Sequence, residues 1–523
     1  MLETADLTRR IDKQQYAQRK EELVRQLVSL QQECVRENMP VVVCVDGWSA
    51  AGKGTTISQL VKDLDPRHFR VYAMSEATET ERRYHFLQRY WERVGQYGTL
   101  TIFDGSWYNE VVEATLEHQS RRHSGVKVSK RIANNASDIV IPEPEAVLSH
   151  YGESAVIMER QLVDDGYAVV KCFFHVSKDV QKQRLVKLRS HTSSSWRVDE
   201  RDLAQNENYA AFERLFDGVL EGTDYERSPW HVISADDERV RRIEFMEAIA
   251  GGIARALEQR REQQEHPVLI APDEPLPASR YTLVDMPRVE DTAHDLTIEY
   301  DTYKKKLKKQ QKRLSKLQFE LYLREIPTML VFEGWDAAGK GGAIKRITAA
   351  LDARDYRVVP SASPTQPEKE HPFLWRYWIN LPKSGHMRIY DRSWYGRVMV
   401  ERIEGFCTDD DWRRAFEEIN DFEHEMVRAG TLMLKFWIDV SQDEQLNRFN
   451  ARRDDPEKAW KLTDEDWRNR EKYPQYCEAI NDMLKMTSTD FAPWTIVESD
   501  DKHYARVKVL KTLNAAIEKR LSC

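Results

Sequence analysis

The 523-residue sequence has no long apolar run: its strand-like stretches, such as Val41-Val42-Val43-Cys44-Val45, fall far short of the ~20 residues that cross a bilayer. That excludes a helical membrane protein. The opening residues Met1 to Gln15 carry no apolar core either, so no secretory leader is expected there. Cysteine is scarce. Cys34, Cys44, Cys172, Cys407, Cys477 and Cys523 are scattered, with no C-x-x-C pair and no metal-ligand spacing. A disulfide scaffold and a zinc module are thereby excluded, and reduced thiols in a cytoplasmic protein are expected. An excess of positive charge is missing as well: the net charge is -8, which gives no bulk attraction for nucleic acid. Any polyanion site must be a local basic patch. What is there, 41% apolar and 32% charged residues, describes a soluble globular chain too long for one ordinary core, so two domains are expected.

The most informative stretch is Thr328-Met329-Leu330-Val331-Phe332-Glu333-Gly334-Trp335-Asp336-Ala337-Ala338-Gly339-Lys340-Gly341-Gly342. An apolar strand runs into Gly-x-x-x-x-Gly-Lys, and a helical pattern with Ala343, Ile344 and Ile347 follows. Strand, glycine loop and helix together make a phosphate cradle. Gly334, Gly339, Gly341 and Gly342 free the backbone so that successive N–H groups point at phosphate oxygens, the helix N-terminus adds partial positive charge, and Lys340 adds a full one. The Ser/Thr that usually follows the lysine and binds Mg2+ is Gly341 here, so another oxygen must hold the metal; Asp336 is the nearest candidate.

The same pattern occurs earlier as Asp46-Gly47-Trp48-Ser49-Ala50-Ala51-Gly52-Lys53-Gly54-Thr55, displaced by 287 residues. Tyr16/Tyr303, Pro40/Pro327, Tyr90-Trp91/Tyr377-Trp378 and Asp104/Asp391 keep that spacing. From Lys171/Lys435 through Trp196/Trp460, Tyr209/Tyr473 and Pro229-Trp230/Pro493-Trp494 the displacement is 264, so the first half carries 23 extra residues, expected around His118–Pro142. A register kept through rare tryptophans means two copies of one domain: residues 1–262 and 293–523, joined by a proline-rich linker over 263–292. The second copy opens on a helix with Tyr300, Tyr303, Leu307, Leu314, Leu317 and Leu321 as a seam and Lys304, Lys305, Lys306, Lys308, Lys309, Lys312, Arg313 and Lys316 outside it. Such a row is ordinarily a solvated face; beside a polyanion site it would add positive potential.

Met387-Arg388-Ile389-Tyr390-Asp391 reads as a strand ending in a carboxylate of the kind that holds Mg2+ beside a phosphate loop. Arg392, Arg397 and Arg402 follow, fit either for clamping phosphate or for surface pairing with Glu401 or Glu404. Residues 452–461, Arg452 through Lys458 to Lys461, form a charged, proline-broken segment suited to closing over a nucleotide, or simply a solvated helix. The aromatics of Phe373-Leu374-Trp375-Arg376-Tyr377-Trp378 read as core.

Gly334 to Gly342, Asp391-Arg392-Ser393-Trp394-Tyr395-Gly396-Arg397 and Lys458-Ala459-Trp460-Lys461 together resemble the polyphosphate kinase 2 family in its fused two-domain form. The resemblance implies an α/β fold of two tandem P-loop kinase-like α/β/α sandwiches, each with a helical lid. It implies phosphoryl transfer from inorganic polyphosphate to AMP, giving ADP, with Mg2+ as cofactor, and self-association. Carried over by residue, Asp336, Lys340, Asp391 and Arg392 would be catalytic, Asp336 and Asp391 would hold the metal, and Arg397, Arg452, Lys458 and Lys461 would bind phosphate or substrate. The first copy departs from the pattern: Ser49, Gly105, Glu110, Ala114, Leu188 and Ser194 stand for Asp336, Arg392, Arg397, Glu401, Arg452 and Lys458. It is expected to fold without catalysing. An ATP-dependent small-molecule kinase and a non-catalytic phosphate-binding regulator are the alternatives.

Overall fold

The computed structural model describes residues 1–113, 116, 151–266, 274–457 and 459–522. The insertion expected around His118–Pro142 and Lys458 lie outside these residues. The chain forms two compact units. The first comprises Met1–Thr78, Phe86–Val268 and Lys369–Pro372, and the second comprises Glu79–His85, Leu269–Glu368 and Phe373–Cys523. Each unit thus includes a short segment from the other half of the sequence.

In the first unit, β1 (Val41–Gly47), β2 (Phe69–Ala73), β3 (Leu100–Asp104), β4 (Ala168–His175) and β5 (Trp230–Ser234) make a parallel sheet in the order β2-β3-β1-β4-β5. Val41 to Val45 are all buried, as a central strand covered on both faces requires. Helix α1 (Lys13–Arg36) buries the predicted Leu23, Leu27 and Leu30; α2 (Lys53–Leu60) follows the glycine loop, and α3 (Glu238–Glu265) closes the unit.

The second unit repeats this plan. Its strands β6 (Thr328–Gly334), β7 (Tyr356–Pro360), β8 (Met387–Asp391), β9 (Leu432–Asp439) and β10 (Trp494–Glu498) are parallel in the order β10-β9-β6-β8-β7. The helices that matter for the site are α4 (Tyr300–Leu323), α5 (Lys340–Thr348), α6 (Asp409–Arg428), α7 (Gln442–Arg453), α8 (Asp464–Glu471), α9 (Tyr473–Thr487) and α10 (Lys502–Ser522). On α4 the seam holds Tyr303, Leu314, Leu317 and Leu321, with Gln310 filling the gap through its bonds from Asn514. Tyr300, expected in that seam, is 53% exposed and is covered by the Lys304 ammonium 4.1 Å from its ring centroid. The lysines of α4 face solvent.

The stretch predicted as a linker is irregular, as its prolines dictate, yet from 279 onward it is fastened to the second unit. Arg280 and Tyr281 bond Asp421, Val284 N donates to Ser488 O at 2.6 Å, and Val289 is buried with its N–H on Asn481. Among the described residues no helix is long and apolar enough to cross a membrane.

Both units carry a buried ion pair beneath the sheet. In the second, Lys435 on β9 donates to Glu423 of α6 at 2.7 Å, to Tyr395 OH at 2.9 Å and to Thr487 O at 2.6 Å, and Trp394 and Tyr395 also donate to Glu423. Lys171 and Glu159 repeat the pair in the first unit, with Tyr108 and Ser228 on the carboxylate. The tryptophan and tyrosine after Asp391 are therefore packing anchors that fix the strand end carrying that aspartate.

Candidate active site

In an open parallel sheet, ligands bind beyond the carboxyl ends of the strands where the chain switches direction. In the second unit that place lies at the ends of β6 and β8, where Phe332 and Asp391 stand in register. The loop from β6 to α5 passes so close to β9 that a Cβ at Gly334 would collide with the Ile438 backbone, and Gly334 has φ +147°. Gly339 caps α5 in the left-handed conformation at φ +115°. Lys340 folds back over the loop, donating to Gly334 O and Trp335 O. Burial and the Arg392 guanidinium lower its ammonium, while Asp336, Asp391 and Glu333 act to keep it charged.

Asp336 lies at the centre. Its Oδ1 accepts from Arg392 Nη2 at 2.9 Å and its Oδ2 from Asn469 Nδ2 at 2.9 Å. Burial acts to raise this carboxyl, but the Lys340 and Arg392 charges outweigh it and hold it below the ordinary aspartate range. Burial lowers the Arg392 guanidinium, but Asp336, Glu333, Glu465 and Asp391 outweigh it and raise it. Arg392 takes φ +62°, an unusual conformation for a side chain with a Cβ. That turn follows from Arg392 N donating back to Phe332 O at 3.0 Å at the β8 exit.

Of the residues singled out in the sequence, Asp336, Lys340, Asp391, Arg392 and the loop glycines come together here. Arg397 instead pairs with Glu401 at 3.1 Å and lies 4.7 Å from the Phe373 ring centroid. Arg402 also forms an ion pair, but with Asp482 at 2.8 Å rather than with Glu401 or Glu404, and it covers Trp412. Arg452 is half-buried at the end of α7 and acts on Asp466 of α8. Lys461 ends a short turn of 3-10 helix.

Several site residues were not singled out as such in the sequence. Asn469 reaches Asp336 from α8. Arg448 donates to Ala337 O at 3.0 Å and Ala338 O at 2.8 Å and also bonds Ser499 O, while Gln445 donates to Asp336 O at 3.2 Å. Glu333, buried below the lysine, accepts from Ser393 Oγ at 2.8 Å, and burial raises its carboxyl. The repeat held the hint: Arg448 and Gln445 match Arg184, which holds Ala50 O and Ala51 O, and Gln181, which donates to Ser49 O at 3.2 Å.

The first unit keeps the same framework with other chemistry. Lys53 donates to Gly47 O and Trp48 O, Asp46 takes the place of Glu333 on Ser106, and burial raises Asp46 to about 6. Where Asp336 would be, Ser49 N donates to Gln205 at 2.9 Å.

The family model described as polyphosphate kinase 2 matches residues 10–134, 140–261 and 297–522. A polyphosphate:AMP phosphotransferase of Pseudomonas syringae pv. tomato is 37% identical over 523 residues, covering 99% of this chain and 98% of the relative. One from Pseudomonas aeruginosa is 38% identical over 521 residues, covering 99% of each. A solved polyphosphate kinase 2 structure from Pseudomonas aeruginosa superposes with a TM-score of 0.81 at 35% identity, covering 100% of this chain and 99% of that one.

Proposed function

Because the chain belongs to the polyphosphate kinase 2 family, we propose that its second unit transfers a phosphoryl group from inorganic polyphosphate to AMP, forming ADP and a polyphosphate one unit shorter. The observation that carries this reading is the Asp336–Arg392 pair set over Lys340 at the ends of β6 and β8, in a chain alike over its whole length to enzymes named for that reaction.

An oxygen of the AMP phosphate attacks the terminal phosphorus of polyphosphate in line, and the bond to the bridging oxygen breaks as the new one forms. The protein supplies position and charge. Lys340 and Arg392 offset the negative charge on the transferred group, the loop N–H groups hold its oxygens, and Asp336 orients the incoming phosphate. Asn469 and Arg392 fix both oxygens of Asp336, so its direction is set before substrate arrives. Arg452, Lys458 and Lys461 would close over the phosphates, and Arg397 would do so only by exchanging Glu401 for substrate.

The donor set fits Mg2+, which takes one or two carboxylates with phosphate oxygens and waters rather than an all-protein cage. Asp336 and Asp391, both close enough to Lys340 to act on its charge, would be those carboxylates. Bound there, the ion would neutralise charge between the phosphates. The free thiols Cys34, Cys44, Cys172, Cys407 and Cys477 accord with a cytoplasmic location. The test is direct: incubate protein, Mg2+ and AMP with either polyphosphate or ATP. ADP formed only with polyphosphate supports the assignment, and equal rates with ATP would support the generic kinase alternative.

A further inference from the structure

His294 lies in the irregular segment before α4, outside every motif described above. Its Nε2 is 3.6 Å from Asp439 Oδ2 and its Nδ1 is 3.5 Å from Asp500 Oδ1. Asp439 ends β9 with its side chain 3% exposed. Its other oxygen accepts from Trp335 Nε1 at 2.8 Å and from Trp437 Nε1 at 3.2 Å. Trp335 directly precedes Asp336, and its ring stacks on Tyr473 at the start of α9 with centroids 4.6 Å apart. Asp500 is itself held by Ser441 N and Oγ at 2.8 and 2.6 Å. A continuous chain of contacts therefore runs from His294 through Asp439 to the tryptophan that seats the loop aspartate.

Beside Asp439 and Asp500, the ionisable groups at this cluster include Tyr473, Cys477 and Arg448, whose guanidinium donates to Asp500 O at 3.0 Å, with Glu290 and Arg288 acting on Cys477. Burial raises Asp439 to about 6, with the two indole N–H bonds and His294 opposing it and Asp500 adding to it. Burial also holds the Tyr473 phenol above its ordinary range and pushes the Cys477 thiol to about 11.

The first unit solves the same packing problem differently. Trp48 stacks on Tyr209 at 4.0 Å, but its Nε1 donates at 3.0 Å to His175 Nδ1, at the strand position corresponding to Asp439. Burial lowers His175, which suits a neutral acceptor. Residues 1–12, which lead into α1 as residues 292–299 lead into α4, contain no histidine. The unit with the charged phosphate site has a carboxylate on the strand and an imidazole on the entering arm; the unit without it has neither in those places.

We propose that His294 is a positioning residue for the phosphate loop: bridging Asp439 and Asp500, it steadies the carboxylate that holds Trp335 and so sets the direction of Asp336. The inference deepens the phosphotransferase reading and rests on it.

The test compares full-length wild type with His294→Gln, His294→Lys, Trp335→Phe and the Gln/Phe double variant, in AMP phosphorylation from polyphosphate and in thermal melting. His294→Gln is expected to lower kcat about tenfold, the scale of a sub-ångström misplacement, with KM for AMP changed less than about twofold. His294→Lys, which places a cation between the two carboxylates, should recover most of the rate. The loss should vanish in the Trp335→Phe background, which has no indole N–H to hold. Wild-type kcat in His294→Gln, or an equal loss in the Trp335→Phe background, would overturn the proposal. If His294→Gln does not fold, Asp439→Asn takes its place, keeping an oxygen for Trp335 but removing the charge; a wild-type rate there would equally overturn it. A wild type inert toward AMP would sink the phosphotransferase assignment, and melting would still decide the bridge: the Tm loss of His294→Gln should vanish in the Asp439→Asn background, and an equal loss there refutes it.

Discussion

Asp336 and Arg392 make opposite demands on the fold. Asp336 is an ionised side chain held by two donors and two nearby cations, so its removal should affect chemistry far more than stability. Asp336→Asn is expected to lose about a hundredfold or more in kcat, the ~3 kcal/mol typical of one charged or hydrogen-bonding group at the transition state, with Tm nearly unchanged; steady-state rates and a melting curve check both halves. Arg392 carries backbone strain at φ +62°, and the first unit has Gly105 at φ +86° in its place. Arg392→Gly should therefore be inactive yet within about 1 kcal/mol of wild-type stability, because relief of the left-handed conformation offsets a half-exposed ion pair. A chemical denaturation curve decides it, and a loss of several kcal/mol would show the pair to be structural. Lys340, Asp391 and the loop glycines were legible in the sequence because a glycine loop between strand and helix is a local pattern. Asn469 was not, because it reaches Asp336 across 133 residues and nothing in its own neighbourhood marks it. Arg397 was legible as an arginine that either clamps phosphate or pairs with Glu401 or Glu404, and the fold places it on Glu401.

Among the elements, β1 and β6 were legible because they are buried on both faces, which leaves a continuous apolar run in the sequence. The more exposed β2 and β7 carry no such run and were not read from it. Lys171 and Lys435 were seen as matching positions in apolar strands, but their partners could not be inferred: Glu423 sits on a helix whose charged residues look solvated. This pair allows a sharp test. Lys435→Met leaves Glu423 buried without its cation and should cost about 3–5 kcal/mol, whereas the double change Lys435→Met with Glu423→Gln should recover much of that loss. Urea denaturation of the single and double variants measures the difference. An equal loss in both would mean that packing around Trp394 and Tyr395, rather than charge, governs this spot. The α4 helix shows the opposite limit: its lysine row was visible from composition, but the outward turn of Tyr300 was not, since its heptad spacing fits the seam until Gln310 and Asn514 set the register.

At the scale of the whole molecule, two copies of one fold differ in their charges. Lys340→Ala should abolish ADP formation from AMP, and Lys53→Ala should leave it nearly unchanged, because the first loop faces Ser49 and Gln205 where the second has Asp336 and Asn469. Both lysine variants measured in one assay settle the division of labour: equal loss in the two would make the first loop a catalytic or coupled site. The proline-rich stretch between the copies looked like a place to cut the chain. Glu79–His85 nevertheless counts with the second unit and Lys369–Pro372 with the first, and within the second unit Arg83 donates to Ser384 O at 2.9 Å while His85 lies 3.5 Å from the buried Glu425. A break in that stretch would leave Glu79–His85 on one product and its bonding partners on the other, so a second copy expressed from residue 274 onward lacks the donor to Ser384 O and the imidazole beside Glu425.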